Sequence, residues 1–326
     1  MTEPPPPLDT LDLGLIQALQ FDGRAPFRRI GAVLGVSDQT VARRYRRLRD
    51  TAGLRIVGAL DESRLGRTTW ILRLGCTPDT AGQLATALAR RPDTAYVDLL
   101  AGGTEVMCAM RPRSRREQDE LLLGQLRRTP RVLSVAAHCL LHMFYGGPLG
   151  RLDKIQALTA DQQEALRRAP APADPGPVVL DALDEALLAP LRRDGRTPLG
   201  ELRAATGQSE SAVGRRLERL RASGVLYFEA QHRLASLGQG VGAMLWLRVA
   251  PSALADVGRA LAAQREVRFA AATTGPADLV AAVGCAGTEA FYRYLSGTVG
   301  ALPGVRTVET ALTLRTVKQL TWEPGG

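Results

Sequence analysis

Apolar positions recur along this chain with two alternating periods. Leu11, Leu15, Ile16 and Leu19 lie on one face at helical spacing. Asp9 stands where it can cap that helix, with Asp12 at the third position and Leu8 placed to staple onto Leu13. Carboxylates there also suit the positive end of the helix dipole. Asp22-Gly23 turns the chain. Pro26 opens a second helix with an apolar face of Ile30, Val33 and Leu34. Gly35 stops it, and Ser37 caps a third helix in which Val41, Tyr45 and Leu48 point inward. From Trp70 the period becomes two: Trp70, Leu72 and Leu74 alternate as in a strand. Thr77-Pro78-Asp79 begins a helix through Leu84 and Leu88. Val97, Leu99 and Ala101 make a second strand, and Gly102-Gly103 turns into a third, Val106 to Met110. A helix with Leu121, Leu122 and Leu126 follows, then a last strand from Val132 to Met143. The order is βαββαβ.

The whole pattern occurs twice. Leu8-Asp-x-Leu-Asp12 matches Leu180-Asp-x-Leu-Asp184 at an offset of 172, and so do Asp22-Gly23-Arg24 and Asp194-Gly195-Arg196. Pro26, Gly35, Ser37, Val41, Arg43, Arg44 and Leu48 keep that register with Pro198, Gly207, Ser209, Val213, Arg215, Arg216 and Leu220. Later the offset is 173: Pro78 with Pro251, Gly102 with Gly275, Val132 with Val305. A register held this long marks a duplication. Copy two repeats the α/β elements at Ala243 to Val249, Leu254 to Leu261, Val267 to Thr274, Asp278 to Val283, Glu289 to Val299 and Val305 to Val317.

The expected fold is α+β: two tandem copies of a winged helix-turn-helix domain plus a βαββαβ ferredoxin-like sandwich. The helix-turn-helix units are expected at 8–62 and 179–233, and the sandwiches at 66–145 and 238–320. Residues 1–7 read as a disordered proline-rich tail. Residues 146–178 read as a linker, because Ala169 to Pro177 alternates proline too densely to continue a helix. Within it, Thr159-x-x-Gln162 is a capping box for a short helix. A four-stranded sheet with one covered face needs a partner for the other, so the sandwiches should pair within the chain or between chains.

If Val41, Tyr45 and Leu48 face the core, Gln39, Arg43 and Arg46 lie opposite, with Thr40, Arg44 and Arg47 at the flanks. A capped helix with this basic face suits a major groove: arginine for guanine edges and phosphates, an amide for adenine. With Ser37, these residues are the expected DNA contacts of copy one; Ser209, Ser211, Arg215, Arg216 and Arg219 are those of copy two. The net charge of +9 agrees with a polyanionic partner, double-stranded DNA. From Asp22 to Arg55 there are nine arginines and three acids; from Asp194 to Phe228, six and four. Arg46 is replaced by Glu218, so copy one should contribute more affinity.

Other chemistry is thin. Cys76, Cys108, Cys139 and Cys285 form no C-x-x-C pair. His138 and His142 share a strand face but stand about 13 Å apart, too far to chelate one ion, and Cys139 points to the other face. No nucleophile elbow or phosphate loop is present. No catalytic residue, metal site or cofactor is therefore expected. No segment approaches a membrane span, and a cytoplasmic protein is expected.

The motifs quoted above, with Leu34-Gly-Val-Ser37, Ser223-Gly224-Val225 and Gly275-x-x-Asp278, resemble the Lrp/AsnC (feast/famine) family of transcriptional regulators over nearly all of both copies. The resemblance implies sensing of an amino acid or related metabolite at the sandwich domains, which also drive assembly. A homo-oligomer, dimer or larger even assembly, is the expectation. It further implies that Gly275 and Asp278 lie near the effector: glycine permits close approach, and a carboxylate can pair with an ammonium group. Copy one has Gly102 and Glu105 there, one methylene longer, so its site should be altered or lost. The alternative is an enzyme similar to the siroheme decarboxylases, which use the same two-part fold. Against it, the strand Val267 to Thr273 has no histidine and the basic helix is intact.

Overall fold

The computed structural model describes residues 8–120, 124, 131–150, 154–167, 178–231 and 238–320. Copy one runs α1 (Thr10–Phe21), α2 (Phe27–Leu34), α3 (Asp38–Thr51), β1 (Arg55–Leu60), β2 (Trp70–Cys76), α4 (Pro78–Ala89), β3 (Thr94–Leu100), β4 (Glu105–Met110), α5 (Arg115–Asp119) and β5 (Val132–Tyr145). After α6 (Ala160–Leu166), copy two runs α7 (Ala182–Arg193), α8 (Leu199–Thr206), α9 (Glu210–Ala222), β6 (Leu226–Gln231), β7 (Val241–Val249), α10 (Leu254–Ala263), β8 (Val267–Thr273), β9 (Leu279–Cys285), α11 (Thr288–Arg293) and β10 (Val305–Gln319). The expected helix through Leu121, Leu122 and Leu126 and the proline run Ala169 to Pro177 lie outside the described residues.

The copies do not fold one after the other. One compact unit gathers Met1–Leu65 and Arg151–Leu237, both helix-turn-helix segments; the other gathers Gly66–Gly150 and Gly238–Gly326, both sandwiches.

In the first unit, β1 and β6 pair antiparallel, Gly58 opposite Phe228. Each copy's wing strand thus finds its partner in the other copy. Gly58 is closely packed: a Cβ there would lie 3.1 Å from the Leu191 backbone oxygen. Arginines cross the junction in both directions. Arg24 donates to the carbonyls of Gly195 (2.6 Å) and Thr197 (3.0 Å). Arg196 donates to those of Gly23 (2.7 Å) and Ala25 (3.1 Å), its guanidinium 4.4 Å from the Phe27 ring centroid. The segment read as a linker contributes to this unit. Leu158 and Leu166 enter the core of Leu15, Ile16, Ile30, Val41 and Leu48. The Gln17 side chain accepts from the amides of Ala157 and Leu158, each at 2.9 Å.

The second unit is a closed barrel of order β10-β3-β4-β2-β5-β8-β9-β7. It consists of two ferredoxin-like sheets joined at both edges. The long strands β5 and β10 make this possible. The first part of β5 pairs with β2, and Leu140 to Tyr145 crosses to β8; β10 pairs with β7 and crosses from Thr313 to β3. Closure leaves the barrel without an edge strand among the described residues. The two sandwiches therefore pair within one chain. Ile71, Met107, Met244, Trp246 and Val280 fill a core shared by both copies, while α4 covers Leu72 and Leu74 on copy one's outer face.

One strand end and one shared strand face differ notably from expectation. Ala101 is not in a strand: β3 ends at Leu100, and Ala101 takes φ +50° in the tight turn that also holds Gly102. His138 and His142 do not share an environment. The register slips between Leu140 and His142 where β5 crosses to β8, leaving His138 buried and His142 exposed.

One seam carries a titratable group. The Thr316 hydroxyl donates to Asp98 at 2.6 Å across the β3–β10 junction. Burial pushes the Asp98 carboxyl up to about 6, against the pull of Thr316 and Arg268. The unfolded chain releases this proton near pH 4, whereas the folded chain keeps it until about 6. Stability should therefore fall as pH rises through that window and stay level above it. Asp98→Asn should flatten the slope and stabilise the chain at pH 7 by about 1–2 kcal/mol. Urea unfolding between pH 4 and 7 measures both effects.

Candidate nucleic-acid interface

The third helix of each unit is built to be held from behind. Asp9 and Asp12 form a capping box at the start of α1, and Asp12 is fully buried. Asp12 accepts from Arg44 (3.2 Å) and pairs with Arg47; Asp9 also pairs with Arg44. Copy two repeats the arrangement. Asp184 accepts from Arg216 and Arg219, each at 2.8 Å, and Asp181 from Arg216 at 2.7 Å. Desolvation of Asp9 is outweighed by the Asp12 amide and the Arg44 guanidinium, which together hold its carboxyl below the usual range. Arg44, Arg47, Arg216 and Arg219, expected as DNA contacts, are thus first of all struts between helices, their charge balanced by carboxylates. Sequence spacing placed them at the flank of the reading face, and the flank is where α1 and α7 lie.

Ser37 and Ser209 also have structural work. The Ser37 hydroxyl accepts from the Thr40 amide (3.1 Å) and contacts the Thr40 hydroxyl (3.0 Å); the Ser209 hydroxyl accepts from the Ala212 amide (3.3 Å) and contacts that of Ser211 (3.1 Å).

What remains outward is a stripe along α3: Gln39, Arg43, Arg46 and Arg49, all exposed. None of its three arginines has an ion-pair partner among the described residues; Arg49 leans over the Tyr45 ring. Arg49 and exposed Arg28, at the start of α2, were not among the expected contacts. The i, i+3 spacing from Arg46 was the available signal for Arg49. The matching stripe of α9 is Ser211, Arg215, Glu218 and Arg221. There Arg221 turns away from the surface. It donates to buried Asp22 of copy one at 2.7 Å, with only 11% of its side chain exposed. Arg215 is the one cation of that stripe without an ion-pair partner among the described residues.

The expected effector residues differ between copies as well. Gly275 takes φ +99°, and a Cβ there would lie 3.0 Å from Nδ1 of His138. His138 bonds the Thr274 carbonyl through Nδ1 (2.9 Å) and stacks on Trp246 with centroids 4.8 Å apart. Burial pushes its imidazole below the ordinary range. Its Nε2, like Trp246 Nε1, is buried and finds no hydrogen-bond partner among the described residues. The Asp278 carboxylate accepts from the Val249 amide at 2.8 Å, so part of its capacity is already spent on β7. In copy one, Glu105 is bound by Arg73 at 2.7 Å, and Arg73 also holds Glu309 at 2.6 Å and covers the Trp246 ring. Gly102 takes φ +67° with open space around it. The four positions therefore form two unlike turns, one with its acid holding a backbone amide and one with its acid neutralised.

Comparison with known proteins agrees with this architecture. The model of the AsnC-type helix-turn-helix domain matches residues 8–49 and 180–221, and that of the Lrp/AsnC ligand-binding domain matches residues 242–323. The HTH-type transcriptional regulator FL11 of Pyrococcus abyssi is 32% identical over 148 residues, covering 97% of that protein and 45% of this chain. This chain belongs to the Lrp/AsnC family. FL11 of Pyrococcus horikoshii is also 32% identical, with the same coverage. Nearly a whole one of these Lrp/AsnC relatives maps onto less than half of this chain, as a duplication requires. Among solved structures, a siroheme decarboxylase superposes with TM-score 0.65 at 14% identity, covering 98% of this chain and 95% of its own. At that identity the likeness is one of fold.

Proposed function

We propose that this Lrp/AsnC chain is a non-catalytic, sequence-specific DNA-binding transcriptional regulator working in the cytoplasm. It reads double-stranded DNA chiefly through α3, and an amino acid or related metabolite modulates it at the Gly275–Asp278 turn. The carrying observation is the α3 stripe: three exposed arginines without ion-pair partners among the described residues, on a helix anchored from behind by buried Asp12. Such a helix presents fixed charge to a groove without having to break its own ion pairs. Because each chain already contains two reading units, a homo-oligomer multiplies sites in pairs. Among the described residues, no helix is long and apolar enough to cross a membrane.

Sequencing genomic fragments retained by the purified chain tests the reading. Enrichment of a shared motif, with retention falling steeply with salt, is expected; uniform retention would count against sequence-specific regulation. For the effector, a panel of L-amino acids should include one that raises the melting temperature. Asp278→Ala should abolish that shift more completely than Glu105→Ala. A ligand bound equally well by Asp278→Ala would place its site elsewhere. The siroheme-decarboxylase reading rests on the full-length fold likeness and on buried His138, whose Nε2 finds no partner among the described residues. Incubation with siroheme is expected to leave no tight coloured complex.

A further inference from the structure

The second helix-turn-helix differs from the first in shape as well as charge. A cavity of about 280 Å³ opens between α7, the end of α8 and α9. Buried Leu187 and Val213 line its inner side, and exposed Arg215 its outer side. Thr206 and Gln208 also line it, and the offset of 172 maps them onto Leu34 and Val36. In copy one both of those side chains pack against the core, Leu34 closely enough that a Cβ on Gly14 would lie 3.0 Å from its Cδ2. In copy two, the Thr206 hydroxyl turns back to the Leu202 carbonyl at 2.9 Å, and Gln208 is exposed. Two apolar plugs have thus become a short side chain and a polar one, and no described residue fills the space they leave.

The charge around this space is selective. Arg216 and Arg219 line it but are committed to Asp181 and Asp184. Arg215 is uncommitted among the described residues. An occupant meets one free guanidinium and a small apolar wall, in a volume near the lower end of small-molecule sites. We propose that the second helix-turn-helix carries a site for a small amphipathic monoanion, a carboxylate on a compact apolar body. The carboxylate pairs with Arg215, and the body lies on Leu187 and Val213. Such a ligand takes up the free cation of the α9 stripe, so it weakens copy two's hold on DNA and leaves α3 untouched. This control is separate from the turn at Gly275.

4-Fluorobenzoate is a suitable probe, followed by broadening of its fluorine resonance on titration with the full chain. Binding is expected for the wild type. It should be lost in Thr206→Leu/Gln208→Val, which restores copy one's residues, and weakened roughly tenfold or more in Arg215→Gln. Thr206→Leu alone should also weaken it, which guards against a fold defect in the double variant. On DNA, benzoate should take about 0.9 from the salt slope of the wild type and nothing from that of Arg215→Gln. No broadening with the wild type, or undiminished binding by the plugged variant, would overturn the proposal. Loss in Asp278→Ala with retention in the plugged variant would move the anion to the barrel and overturn it as well. Displacement by acetate as readily as by benzoate would remove the apolar half of the claim.

Discussion

Arg43→Ala and Arg46→Ala together should weaken binding to the operator by about 2–4 kcal/mol, roughly 30- to 1,000-fold, whereas Arg215→Ala should cost clearly less than Arg43→Ala. Each lost phosphate contact removes about 0.9 from the slope of log K against log salt, so the double variant should lose up to about 1.8. The asymmetry follows from two substitutions and one reorientation along one face. Gln39 becomes Ser211, which shortens the group available for adenine. Arg46 becomes Glu218, which sets a carboxylate against phosphate. Arg49 keeps its identity as Arg221, but there the guanidinium is drawn inward to Asp22. Copy one's stripe thus keeps three outward cations and copy two's keeps one. Fluorescence anisotropy at two salt concentrations separates the cases, and equal losses for Arg43→Ala and Arg215→Ala would end the argument for unequal readers.

The local half of this picture was legible in the sequence. Asp9, Ser37 and Thr159 cap where their spacing says they should, because capping involves only neighbouring residues. Val41, Tyr45 and Leu48 are buried as the helical period requires. The duplication was legible too, since an offset needs no structure to be seen. What could not be read was partnership between copies. Nothing local to β1 says that its neighbour is β6, about 170 residues away, or that Arg221 reaches Asp22. The same blindness applies to β5 and β10. Their alternation announces strands, but their length matters only because the second half of each crosses to the other copy's sheet. The slip between Leu140 and His142 arises at that crossing, so a period-two count put both histidines on one face. The flanking arginines show the remaining limit. Periodicity assigns Arg44 and Arg47 an angle around α3, but only the position of α1 decides whether that angle meets DNA or a carboxylate.

Asp12→Ala should therefore destabilise the chain and weaken its hold on DNA at once. Asp12 is fully buried and serves three groups: the Asp9 amide at 3.2 Å, Arg44 at 3.2 Å, and Arg47. Removing one member of a buried ion pair typically costs 3–5 kcal/mol; water reaching the arginine heads lowers the expected loss here to about 2–3 kcal/mol. Urea unfolding at pH 7 measures it. Asp184→Ala should lose a similar amount, because Arg216 and Arg219 repeat the geometry. Asp9 adds a pH dependence of known sign. Its folded carboxyl lies below the usual range, so its contribution is complete above the ordinary carboxylate pKa and fades as pH falls through the folded value. The DNA readout decides what the flanking arginines are for. As struts, their release from Asp12 lets α3 shift and affinity drops. As groove contacts held back by carboxylates, their release frees two positive charges and affinity rises. Tighter binding by Asp12→Ala, in a chain shown to be folded, would return Arg44 and Arg47 to the reading face.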